Sequence, residues 1–185
     1  MSIYYPSSNA CATTQAAYNC NACPETEFSR IRSAAFVKKT YLSTLLLSAS
    51  SSSAWTTACN GGNAIVLWEV NGSYDGGSTT EITGFGDTAS MPGNTTHTAV
   101  IKDRNYTENC DFWNDIRQNT SEWTFVYRTS SQIHFSIAPV SINGRNPVAD
   151  DLNAPLVWEA TVKWIYPDSP CPYTTPTGTF DRCYI

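Results

Sequence analysis

Cys20-Asn21-Ala22-Cys23 is the one pair in this chain with metal-ligand spacing. A tetrahedral zinc site needs two more ligands, and Cys11, Cys171 or Cys183 would supply them if the two termini meet. One close pair is a weaker signal than two, and no βαβ unit surrounds it, so thioredoxin-like redox chemistry is not expected. The bland alternative is small buried thiols plus disulfides formed in the arms after release from a cell. Asp111 and Asp115 lie four apart, which places both carboxylates on one face of a helix. A glycosidase would use such a pair as acid and as base or nucleophile; a solvated helix face would look the same. Asp150-Asp151 reads equally well as a turn. There are two histidines, and neither His97 nor His134 has a hydroxyl, thiol or carboxylate placed beside it by the sequence as a nucleophile pair requires. Gly84-Phe85-Gly86 lacks the third glycine and the following helix of a phosphate-binding fingerprint. The N-x-S/T triplets at Asn71, Asn94, Asn105 and Asn119 are expected to be chance in an Asn/Thr-rich chain. No catalytic residue, cofactor site or metal site is assigned, and the chain is read as a non-enzyme.

Composition narrows the field further. The 185 residues suit one domain that needs neither metal nor disulfide to fold. Hydrophobic residues are 41% and aromatics 12%, with six Trp and ten Tyr, so a packed core rich in β-forming residues is expected. The net charge of −5 argues against a general nucleic-acid binder, which needs a basic footprint. It is compatible with the wall of a conduit through which nucleic acid slides without sticking. The amino terminus has neither the basic nor the apolar region of a signal peptide, so synthesis in the cytoplasm is expected. There the seven cysteines are thiols by default, and an odd number cannot all pair within one chain.

The elements that would position any site follow from periodicity. Leu156, Trp158, Ala160, Val162 and Trp164 share one face of a long final strand, with Val157, Glu159, Thr161 and Lys163 on the other. A hairpin is expected from Trp123, Phe125 and Tyr127, through a turn at Thr129 to Gln132, into Ile133, Phe135 and Ile137. Further strands are expected at 31–39, 64–70 and 97–102. One short helix spans 109–118, where Phe112, Trp113 and Ile116 have helical spacing behind Asn109. The apolar patch from Tyr41 ends in a serine-rich mobile loop, and Asn143-Gly144 marks a turn. Residues 71–94, with six glycines, read as a long functional loop. Residues 1–29 and 167–185 read as terminal arms around a domain at 30–166. The fold expected is mainly β: an antiparallel sandwich or partly closed barrel with one short helix and extended arms. The period-two placement of the aromatics favours core packing over a sugar-binding platform.

Several blocks resemble virion-associated proteins of phages and prophages of Bacteroides-type gut bacteria. They are CPETEFSRIRSAAFVKKTY (Cys23 to Tyr41), GFGDT (Gly84 to Thr88), NCDFWNDI (Asn109 to Ile116), WTFVYRTSSQIHFS (Trp123 to Ser136), VWEATVKW (Val157 to Trp164) and the ending CPYTTPTGTFDRC. The order of elements is also similar to that of phage tail tube proteins, a likeness of fold alone. It implies a virion structural protein, a tail tube or tail-connector subunit that forms rings around a DNA channel. Its partners would be further copies of itself, other virion proteins, and DNA passing without specific binding; no membrane is involved. Glu69, Asp75, Glu81 and Asp87 become candidates for an acidic lumen. The alternatives are a capsid-decorating or head–tail joining protein, and a carbohydrate-binding module.

Overall fold

The computed structural model describes residues 29–84, 86, 90–148, 150 and 153–181. In chain order the elements are β1 (Ser33–Lys38), α1 (Lys39–Leu46), α2 (Ser52–Asn60), β2 (Ala64–Leu67), β3 (Val70–Tyr74), β4 (Ser78–Ile82), β5 (Met91–Asp103) and α3 (Cys110–Gln118). After a 3-10 turn (Thr120–Glu122) come β6 (Trp123–Arg128), β7 (Gln132–Phe135), β8 (Ser141–Arg145), β9 (Trp158–Ile165) and β10 (Pro172–Thr174). Two antiparallel sheets result. The inner one has the order β10-β7-β6-β1-β2, and the outer one β3-β5-β9-β8 with β4 also paired to β5. They pack as a sandwich and do not close into a barrel. A single bridge, Ile31 to Gly72, links them at one edge.

Side-chain alternation explains the layering. On β9, Trp158, Ala160, Val162 and Trp164 are buried between the sheets while Glu159, Thr161, Lys163 and Ile165 face outward. Glu159 there meets Lys102 of β5 and Arg145 of β8, so the outer face of this sheet is a solvated, charge-paired surface. The inner sheet is covered on both faces, and its strands are therefore almost continuously apolar. Ala34 and Phe36 of β1 and Phe125 and Tyr127 of β6 enter the core between the sheets. Their neighbours Ala35, Val37 and Val126 enter a second core, beneath α1 and α2. Helix α3 closes the sandwich beside β8: Trp113 stands edge-on to Phe36 at 6.4 Å, and Gly144 offers the indole a surface without a Cβ.

Several expectations are corrected. Three helices are present rather than one: residues 47–51 of the serine-rich stretch are turn and loop as expected, but a short helix flanks them on each side. Leu42 and Leu45 of α1 and Trp55 and Ala58 of α2 supply buried positions at helical spacing, and Trp55 Nε1 donates to Ala49 O at 2.8 Å to clip the two helices together. Each is too short to stand alone and is held by that packing. The expected strand at 64–70 is divided: Leu67 pairs with Ala34 in the inner sheet, whereas Val70 pairs with Asp103 in the outer. The chain changes sheets at Trp68-Glu69, a bent corner of the kind sandwiches use. Residues 71–94 are largely strand (β3, β4 and the start of β5), and Asn143-Gly144 lies inside β8 rather than in a turn. The final strand begins at Trp158, not Leu156.

The carboxy-terminal segment is extended, as expected of an arm, yet it lies against its own domain. β10 pairs with β7, Thr175 N donates to Ser131 O at 3.0 Å, and buried Phe180 meets Trp55 edge-on at 4.9 Å. The first 28 residues, including Cys11, Cys20 and Cys23, lie outside the described residues, as does Cys183.

Candidate functional site

The residue types that could do chemistry are dispersed. Asp111 and Asp115 are both exposed on α3 and line neither of the two clefts at the β2–β3 corner. Cys110 and Cys171 are exposed free thiols; Cys59 is half-buried, and burial raises its thiol pKa. Among the described residues no three of His, Cys, Asp and Glu are grouped to hold a metal ion. The zinc ligand set drawn from Cys11, Cys20, Cys23 and Cys183 falls outside them, apart from exposed Cys171. Asn94 and Asn119 are exposed, Asn71 and Asn105 half-buried, and Asp150 is exposed. Among the described residues no helix is long and apolar enough to cross a membrane.

Two buried polar residues are spoken for by the fold. Asp103 is 2% exposed at the end of β5. Its Oδ1 accepts from Asn105 N at 2.9 Å; its Oδ2 accepts from Asn109 Nδ2 at 2.7 Å and Trp113 Nε1 at 2.9 Å. This carboxylate anchors the turn into α3 and the indole that seals the sandwich. Asn109, expected as the helix N-cap, precedes α3 but spends its side chain on Asp103 rather than on the helix backbone. His97 lies in β5 and is fully buried. Its Nε2 lies 3.0 Å from Tyr166 O, which can only accept, so Nε2 carries the proton. Nδ1 then accepts from the Tyr74 hydroxyl at 2.7 Å. The ring stacks against Trp164 at 5.2 Å. Hydrogen-bonded through both nitrogens and stacked, the imidazole is a positioning element. Burial raises the pKa of Tyr74 beside it and of Tyr127, whose ring lies 5.3 Å from that of Tyr74.

What His97 positions is the base of a projecting ribbon. β3 and β4 run in the same direction along one edge of β5: Val70–Tyr74 pairs with Asp103 to Ala99, and Ser78–Ile82 pairs with Thr96 to Met91. Between them, Asp75, Gly76 and Gly77 oppose only His97 and Thr98, a bulge that bends the strand and lets it continue. Asp75 Oδ1 closes the bulge by accepting from Gly77 N at 2.9 Å and Thr98 N at 3.0 Å. Burial opposes ionisation of Asp75, but these backbone donors outweigh it and hold the carboxyl below its ordinary value. Gly77 takes φ +88°, and a Cβ there would lie 2.6 Å from His97 Nδ1.

Beyond the bulge the ribbon leaves the sandwich. Pairing with β9 stops at Thr96, where Ile165 is the partner, and the last ties are Tyr166 N to Thr95 O and Thr95 Oγ1 to Pro167 O. All five residues of β4 are exposed, and Ile82 is 57% exposed near the tip. Gly93 lets the two strands approach closely, since its Cβ would fall 2.9 Å from Thr80 Oγ1. Of the acidic lumen candidates, Glu69, Asp75 and Glu81 are all exposed, and Asp87 lies outside the described residues. The signals that reveal this ribbon are the β-favouring runs Ser78-Thr79-Thr80-Glu81-Ile82 and Asn94-Thr95-Thr96-His97-Thr98, which the surrounding glycines mask.

No protein-family model, curated protein or solved structure matches this chain.

Proposed function

We propose that this chain is a phage virion structural protein, a tail tube or tail-connector subunit that assembles into rings around a channel for DNA. The observation that carries the reading is the ribbon of β4 and the first part of β5, which projects past the sandwich with every β4 residue exposed. A two-stranded hairpin without a core of its own is marginal in water at best. Its open β4 edge presents unpaired backbone donors and acceptors, which invite strand addition by another chain. Of the other edge strands, β2 has four residues and β10 three, while β8 has five and packs beside α3. The β4 edge, fully exposed and prolonging that of β3 along β5, is the place for a neighbouring subunit in this reading. Exposed Asp75 and Glu81 and the net charge of −5 suit a lumen that repels phosphate.

Burial disfavours the carbohydrate-binding alternative, because Trp55, Trp113, Trp158 and Trp164 are all core residues. Negative-stain electron microscopy of the concentrated protein tests the proposal. Rings or hollow tubes are expected. Particles that remain single subunits, or that assemble only on capsids, would replace it with the decorating or head–tail joining role.

A further inference from the structure

The chain is acidic, yet four of its seven arginines gather in one place. Arg30, Arg32, Arg104 and Arg128 line a cleft of about 510 Å³ at the corner where the chain passes from β2 to β3. Among the described residues its only carboxylates are Glu69 and Asp181, so the described lining carries a net +2, four guanidiniums against two acids. Both acids already have partners: Glu69 Oε2 accepts from Asn105 Nδ2 at 2.8 Å, and Asp181 accepts from Arg128. Among the described residues Arg30, Arg32 and Arg104 form no ion pair. Arg128 is held on the wall by Phe180 O and Ser130 O, while its Nε is shielded from solvent without a hydrogen-bond partner. Like charges converging on a concave surface, one with a desolvated donor left over, favour an anion.

The remaining feature is aromatic. Trp68 forms part of the same lining and is 38% exposed, and its Nε1 donates to Thr179 O at 2.8 Å, which fixes the ring. Guanidinium forks match phosphate oxygens in pairs, and an exposed indole beside them offers a stacking surface for a planar base. The volume lies within the range of small-ligand sites, roughly 300–1,000 Å³.

We infer that this cleft binds a nucleoside phosphate, either free or as one unit of a single strand, with Arg32 and Arg104 on the phosphate and Trp68 against the base. The site lies apart from the ribbon, and the inference does not depend on ring assembly. The test titrates the full chain at low salt with inorganic phosphate, ADP and an oligothymidylate, following tryptophan fluorescence and heat. ADP or the oligonucleotide should bind more tightly than inorganic phosphate. Arg32→Gln and Arg104→Gln, each of an exposed arginine without an ion pair, should weaken binding about tenfold. Each should also lower the slope of log K against log salt by about one. Trp68→Leu should weaken ADP more than phosphate. An oligonucleotide that outcompetes ADP identifies a strand as the ligand, and the reverse identifies a free nucleotide. The inference is overturned if none of the three probes binds, or if binding ignores all three substitutions. It is equally overturned if the arginine variants change only self-association, which would make the cleft a subunit contact.

Discussion

Gly76 and Gly77 sit side by side in the bulge with nearly the same φ, +84° and +88°, but in different surroundings. A Cβ on Gly76 would meet nothing within 4 Å. On Gly77 it would fall 2.6 and 2.7 Å from the His97 ring and 2.8 Å from Thr95 Cγ2. That ring has nowhere to go: it is 0% exposed, hydrogen-bonded through both nitrogens and stacked on Trp164. Both alanine variants carry the left-handed backbone cost of about 1–2 kcal/mol. Gly77→Ala adds an overpacking cost of about 1–3 kcal/mol, for about 2–5 kcal/mol in all. Equilibrium urea unfolding of the two variants beside the wild type measures this directly, because the shared backbone term cancels in their difference. Losses equal within about 0.5 kcal/mol would refute the claim that His97 and the missing Cβ together set the base of the ribbon.

Two further outcomes follow from the polar groups. Asp103→Leu removes the acceptor for Asn105 N, Asn109 Nδ2 and Trp113 Nε1; with the indole sealed from water, a loss of about 2–4 kcal/mol in urea unfolding is expected, and one below about 0.5 kcal/mol would contradict it. Asp75 has its folded-state pKa below the ordinary 3.8, so its contribution to stability is complete above that value and disappears as the pH falls through the folded-state pKa. The stability gap between wild type and Asp75→Asn should therefore be constant from pH 7 to 5 and narrow below about 3.8; a gap that widens on acidification would reverse the sign.

The sandwich is legible where one residue type repeats at period two. The Trp158-to-Trp164 face and the β6–β7 hairpin follow directly from large side chains alternating with polar ones. Helix α3 is legible because Phe112, Trp113 and Ile116 outweigh any strand pattern. What escapes is where identity and role part company. The serines of 48–53 suit a loop, yet Trp55 and Leu45 recruit their flanks into two short helices through contacts distant in sequence. Asp75-Gly76-Gly77 suits a turn, but here it bends a strand that continues. A three-residue strand such as β10 has no period to detect, and Phe180 is one anchor in an otherwise irregular segment. The arginine cleft escapes for a related reason: its members lie at 30, 32, 104 and 128, and only long-range strand pairing (β1 with β6, the Ile31–Gly72 bridge, and β3 with the end of β5) brings them together.

In the proposed assembly the ribbon makes the subunit contact. Replacing residues 80–94 with Asn-Gly joins Thr79 to Thr95, already a facing pair, through a two-residue hairpin turn and leaves the sandwich intact. Sedimentation velocity of both proteins across a wide concentration range, with near-ultraviolet circular dichroism to verify the core, is the most direct measurement. The wild type should sediment as rings or larger stacks, and the shortened chain as a folded monomer. A folded, shortened chain that assembles as the wild type does, or a wild type that stays monomeric throughout, would contradict the claim.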